Sequence, residues 1–143
     1  MGSLSAAALL QLPVRLHGIQ LGRPVDLLVD VEGWRVLGFV VLCGDESSRF
    51  LPYAAAQPAG EEIEVGSALM LLEDIGFYRA RSASYRSLLG ARVEQSGRLA
   101  GVLRDVRIGR GGAVVELELA FGDARVRRPP QGSRVTPSRA TAA

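Results

Sequence analysis

The chain contains no lysine: all 17 of its cationic side chains are arginines. Schiff-base chemistry, a catalytic lysine and a phosphate-binding P-loop lysine are therefore excluded. With one histidine and one cysteine in 143 residues, it also cannot assemble a His/Cys zinc site or an internal disulfide. Long hydrophobic runs are missing too. The densest apolar stretches, Leu37 to Cys43 and Ala68 to Leu72, fall far short of the roughly 20 residues a membrane-spanning helix needs. The start of the chain is small and apolar but has neither a basic opening nor a clear cleavage site, so it reads as a flexible arm or short helix over residues 1–13. A lone Cys43 inside an apolar run reads as a small buried hydrophobe, and a reduced, cytoplasmic setting is the expectation.

What is present is enough apolar material, 48% of residues, for one core in a chain of one-domain length. Val114 to Leu119 alternates, with Val115, Leu117 and Leu119 on one face and two glutamates on the other, as a half-buried strand does. Trp34 to Leu42 is almost continuously apolar, which predicts a strand covered on both faces. Further short strands are expected at 26–31, 49–51, 62–65, 91–94 and 103–108. Turn signals separate them at Glu32-Gly33, 43–48, 58–60, Ser96-Gly97 and 109–112. Pro52 suits the first position of a helical turn after a strand. Residues 73–89 read as a short helix or connector. The arginine- and proline-rich tail, 127–143, is expected to be disordered. Many short strands with glycine-rich turns predict a mainly β protein, a small barrel or sandwich.

The chain also repeats itself. Setting Gly22 against Gly101 aligns Asp26 with Asp105, Leu27 with Val106 and Val29 with Ile108, and each segment then turns into a β-rich strand. The expected units are 14–76 and 77–126.

These residues resemble the PRC-barrel family, small β-barrels of photosynthetic reaction-centre H subunits and of RimM-type ribosome maturation factors. The second copy carries the family's Leu-Leu-Gly opening at Leu88-Leu89-Gly90, a hairpin turn at Ser96-Gly97, the Gly-x-x-x-Asp step at Gly101 to Asp105 and a valine-rich strand at 113–119. The first copy carries the same step at Gly22 to Asp26, then Trp34 to Leu42 and the Pro-aromatic pair Pro52-Tyr53. Two departures stand out: the first copy keeps only Leu16 to Gln20 of the opening hairpin, and the second lacks the Pro-aromatic pair. The resemblance implies a β-barrel of two approximate repeats with short helical connectors. It also implies a non-enzymatic prokaryotic adaptor or assembly module, without catalytic residues, cofactor or metal. An edge strand beside the truncated first hairpin is the expected docking or dimerisation edge.

Individual residues support simple structural readings. His17 has no acidic neighbour in sequence and reads as a turn residue. Asp26 and Asp30 lie four apart, and the recurrence of Asp26 as Asp105 suggests a turn or strand-entry role. The cluster Glu61-Glu62-x-Glu64 reads as a solvated face. Gly109 to Gly112 has the composition of a phosphate loop but no following lysine or serine, and reads as a hairpin.

Charge is the most informative remaining signal. Residues 1–78 hold 4 Arg and 10 acidic residues, a charge of −6; residues 79–143 hold 13 Arg and 5 acidic residues, a charge of +8. A general use of arginine for solvated cations explains part of this. Beyond that, Arg98, Arg104, Arg107 and Arg110 form a candidate basic surface for a protein partner or a second copy, or alternatively for RNA on the ribosome. Too few aromatics accompany the arginines for base stacking, which favours the protein partner.

Overall fold

The computed structural model describes residues 3–136. Its elements run β1 (Leu4–Ser5), α1 (Ala6–Leu9), β2 (Val14–Leu16), β3 (Ile19–Asp30), β4 (Arg35–Cys43), β5 (Ser48–Pro52), β6 (Ala56–Ala59) and β7 (Glu62–Val65). A connector then carries α2 (Ile75–Arg79). The second half follows as β8 (Ala83–Ser84), α3 (Tyr85–Leu88), β9 (Arg92–Gln95), β10 (Arg98–Ile108), β11 (Val114–Phe121), β12 (Ala124–Arg128) and β13 (Ser133–Thr136). The fold is mainly β, as expected, with two curled sheets. One has the order β5-β4-β3-β2-β7-β6, with β8 added on β3; the other has β12-β11-β10-β9-β13, with β1 added on β10.

The repeat reaches further than its glycine anchors. With a constant offset of 79 positions, Ser5 matches Ser84, Leu9 matches Leu88, Val14 matches Val93 and Gly18 matches Gly97. The backbone irregularities recur at the same offset. The register shift between Pro24 and Asp26 has its counterpart between Leu103 and Asp105, and the shift between Leu28 and Val29 recurs between Arg107 and Ile108. His17 (φ 50°) and Ser96 (φ 54°) adopt the same left-handed conformation in the two hairpin turns, each followed by a glycine with positive φ. Gly22 and Gly101 recur because the neighbouring strand leaves no room for a side chain: a Cβ would lie 2.5 Å from the Leu42 carbonyl oxygen in one and 2.7 Å from that of Ala120 in the other.

The two copies exchange their first segments. β1 pairs with β10 of the second half, Ser5 opposite Arg107, and β8 pairs with β3 of the first half, Ser84 opposite Leu28. These two contacts are the same contact at the 79-residue offset. The halves also meet at their turns, where the Val114 N–H donates to the Trp34 carbonyl at 2.8 Å. One core cluster draws on both halves, with Leu9, Leu27, Phe39, Leu103 and Leu117 all at most 1% exposed.

Several expectations change. Of the two readings of the start of the chain, the described residues form the short helix and not the flexible arm: Ser5 caps α1 by accepting from the Ala8 N–H, and Ala6, Leu9 and Leu10 are buried. The first copy's opening hairpin is present as β2–β3, with Leu9-Leu10 in the place of Leu88-Leu89. The tail is ordered through Thr136, since β12 pairs with β11 and β13 with β9; the remainder of the expected disordered stretch, 137–143, lies outside the described residues. Short polar strands of this kind carry too few apolar residues for periodicity to reveal them, and their pairing depends on a ready-made edge. The unit boundaries move accordingly, from 14 to about Leu4 and from 77 to about Ala83.

The two-sided burial read from Trp34 to Leu42 is confirmed. Beyond the core face, Leu28, Val40 and Phe50 form a second apolar layer covered by the connector through Leu72, Ile75 and Tyr78. The Tyr78 ring stacks on Phe50 at 3.9 Å between centroids. The corresponding face of the second sheet has no such cover among the described residues and carries cross-strand ion pairs, Arg107–Glu118 at 3.3 Å and Arg127–Glu116 at 3.7 Å.

Candidate functional site

The two recurring carboxylates sit where the halves cross. Asp26 and Asp105 lie within β3 and β10 at the equivalent irregularities, so they are not strand-entry residues. A bulge leaves one backbone position out of the ladder, and the carboxylate fills that gap by accepting the next N–H, from Leu27 and from Val106, each at 2.8 Å. Each then accepts from the exchanged helix of the other half: Asp26 from the Arg86 N–H at 3.0 Å, Asp105 from the Ala7 N–H at 3.4 Å. A hydroxyl completes each set, from Ser84 on Asp26 and from Tyr85 on Asp105, the latter at 2.7 Å. Tyr85 has Ala6 as its counterpart, so here the copies differ.

Both carboxylates thus act as acceptors, Asp26 through both oxygens and Asp105 through Oδ1. This geometry also leaves a titration signature. Burial, followed by the hydrogen bond to Asp105, pushes the Tyr85 phenol well above its ordinary 10.0. A phenol held protonated by the fold stabilises it fully below pH 10, and that contribution is lost as pH rises toward the folded-state value. Tyr85→Phe is expected to lower stability by about 1 to 2 kcal/mol at neutral pH. It should also flatten the alkaline decline, so that wild type and variant converge above pH 10 in urea titrations. Parallel curves across that range would show that Tyr85 is not the group responsible.

The other singled-out residues fall as follows. His17 occupies the tip of the β2–β3 turn. Asp30 caps the β3–β4 turn, accepting from the Glu32 and Gly33 N–H groups at 3.0 and 3.3 Å. Glu62 and Glu64 lie on β7, Glu62 pairing with Arg15 at 3.4 Å. Gly109 to Gly112 form the β10–β11 connection. Cys43 is half-buried at the core margin, and that burial raises its thiol above the usual range. Pro52 ends β5 before a 3-10 turn, and Gly90 (φ 87°) leads out of α3 into β9.

Of the four arginines expected to form one surface, Arg98, Arg104 and Arg107 lie on β10 and Arg110 in the 3-10 turn that follows it. Arg107 is engaged within the fold, its guanidinium donating to the Ser3 hydroxyl at 2.8 Å, the Ser3 carbonyl at 2.9 Å and Glu118. Arg98, Arg104 and Arg110 are exposed. The edge of the first hairpin, expected to be open, is occupied: β2 pairs in parallel with β7. The exposed arginines that do cluster are Arg125, Arg127 and Arg128, on β12 at the end of the second sheet. The sequence signal for them was the alternation Arg125-Val126-Arg127 directly after a Gly122-Asp123 turn, which the arginine and proline content masked.

Two open grooves flank the equivalent turns of the repeat. One, of about 630 Å³, runs between Tyr53 to Ala59 and Ile108 to Gly111; the other, about 670 Å³, runs between Val31 to Trp34 and Gln131 to Val135. Arg110 and the phenol of Tyr53 are the ionisable groups of the first, Glu32 and Arg134 those of the second. No protein-family model matches the chain, and no curated protein matches it significantly.

Proposed function

We propose that the chain is a PRC-barrel-like adaptor or assembly module that binds another protein in the cytoplasm. The observation that carries this reading is the division of charge: apart from the exchanged β1 and β8, the half of the chain at −6 supplies one sheet and the half at +8 the other, whose end strand β12 is lined with arginine. The residues that recur between copies, Gly22, Gly101, Asp26 and Asp105, are occupied in holding the halves together, which suits a scaffold presenting a surface. Separated charge of this kind sets orientation and association rate with a complementary partner.

A ribosome- or RNA-associated role is the second reading, favoured by Arg98, Arg104 and Arg110, which have no ion pair among the described residues. Affinity capture from nuclease-treated extract separates the two. The adaptor reading expects a discrete protein retained in near-stoichiometric amount. Loss of all captured protein with nuclease, together with co-sedimentation with ribosomes that falls steeply between low and moderate salt, would replace it with the RNA reading.

A further inference from the structure

We propose that the outer edge of β12 accepts an extended acidic segment of a partner protein as an added strand. Acidic side chains would sit at alternate positions opposite Arg125 and Arg127, with an apolar one between them opposite Val126. This deepens the adaptor reading and rests on it, naming the chemistry of the segment and the strand that takes it.

Three observations lead there. First, β12 ends its sheet: β11 lies on one side, Leu119 opposite Val126, and among the described residues no strand lies on the other. Its outward N–H and C=O groups form a template for another strand. The other sheet ends are less inviting. Phe50 of β5 exchanges both backbone hydrogen bonds with Leu72, each 2.8 Å, β6 contains Pro58, and the one arginine of β13, Arg134, faces Glu94 across the ladder.

Second, the side chains of β12 alternate in a way that specifies a sequence. Val126 turns inward and packs on the core, whereas Arg125 and Arg127 are exposed on the opposite face. Among the described residues Arg127 has one carboxylate, Glu116 at 3.7 Å, while Arg125 stands opposite Ala120 with none. A strand added here would place every second residue beside these guanidinium groups, within reach of bidentate contact.

Third, the same charge excludes a second copy of this chain. Antiparallel pairing of β12 with β12 about Val126 sets Arg125 and Arg127 of one copy against Arg127 and Arg125 of the other, which directly opposed strands do not tolerate. The chain's own acidic strand, β7 with Glu62 and Glu64, is already paired on both sides, by β2 and β6. The occupant is therefore a segment from another protein.

Fluorescence polarisation of a labelled peptide alternating glutamate and valine, titrated with the full chain, tests this. Binding is expected, with slowed amide exchange over Ala124 to Arg128. Affinity should fall about tenfold with R125E/R127Q, but little with R98Q/R104Q, which removes as many arginines. A peptide of the same composition with its glutamates contiguous, or one N-methylated at alternate residues, should bind at least tenfold more weakly, because strand pairing needs both register and backbone donors. Equal losses in the two double variants, equal binding of the contiguous peptide, or tighter binding of a uridine oligonucleotide would overturn the proposal. Capture of a protein partner that R125E/R127Q retains fully would also overturn it, while leaving the adaptor reading intact.

Discussion

Deleting residues 1–10 is expected to abolish cooperative folding. A flexible arm would be removed without consequence, but here the segment supplies β1 and α1, and these belong by contact to the second half. Ser5 pairs with Arg107, the Ala7 N–H reaches Asp105, and Ala6 and Leu9 are at most 1% exposed. Truncating one buried leucine costs about 2 to 5 kcal/mol, and a small domain has only about 5 to 15 kcal/mol in total. The deletion removes Leu9 and Leu10 together with a ladder and a carboxylate's partner, so the loss is comparable to the whole. Trp34, the single tryptophan and 6% exposed, reports it directly through fluorescence during urea unfolding. An unchanged midpoint would mean that the exchanged segment is dispensable. Leu9→Ala provides the graded version, with a smaller shift in the same direction.

Gly38→Ala is expected to destabilise by about 3 kcal/mol, a large effect for one added methyl. Gly38 lies in β4 opposite Pro52, where a Cβ would stand 2.2 Å from the Leu51 carbonyl oxygen and 2.6 Å from the Phe50 ring. Neither neighbour has room to retreat. Leu51 and Phe50 are fully buried, and the Phe50 ring is pressed between Gly38 and Tyr78. The strands must separate, which loosens the second apolar layer as well. Gly44→Ala is the control, since its Cβ would meet nothing within 4 Å. It should be neutral or raise stability by up to about 1 kcal/mol by restricting the unfolded chain. Equal midpoints for the two variants would refute the packing argument.

Periodicity made the long strands legible because they bury the most apolar surface. The contrast between the continuous run at Trp34 to Leu42 and the alternation at Val114 to Leu119 distinguished a strand covered on both faces from one covered on a single face, but it put Val115 on the buried face with Leu117 and Leu119, whereas the register shift beside Ile108 leaves Val115 exposed and buries Val114. The contrast thereby anticipated that something, now seen to be the connector, lies on the first sheet. The repeat was legible at its glycines and aspartates, where backbone geometry dictates residue type. It was not legible at α1 and α3, because one-turn helices have no period, and the shared signal is a single serine cap at Ser5 and Ser84. The role of Asp26 and Asp105 was hidden for a related reason: the backbone donors that reach them from the exchanged helices lie 60 and 98 residues away in sequence, in the other copy. The reading of a basic surface from Arg98, Arg104, Arg107 and Arg110 could not foresee that Arg107 is engaged by Ser3, 104 residues away in sequence, and by Glu118. β12, with fewer residues and a tail-like composition, concentrates arginines instead.

The exchange of first segments gives the chain the geometry of a symmetric dimer whose two subunits have been tied into one polypeptide. In a true dimer of identical subunits, every change appears twice and must suit both surroundings. A tied pair is released from that restriction, and the differences between the copies show how the freedom is used. One sheet carries a fused cover and an aromatic stack on its outer face, and the other keeps that face wet, with charges and an uncapped edge. Tyr85 in place of Ala6 ties the exchanged α3 back to Asp105 of its own half, a bond α1 does not make. The molecule thus has a permanent front and back, a polarity that no symmetric pair of these units could possess.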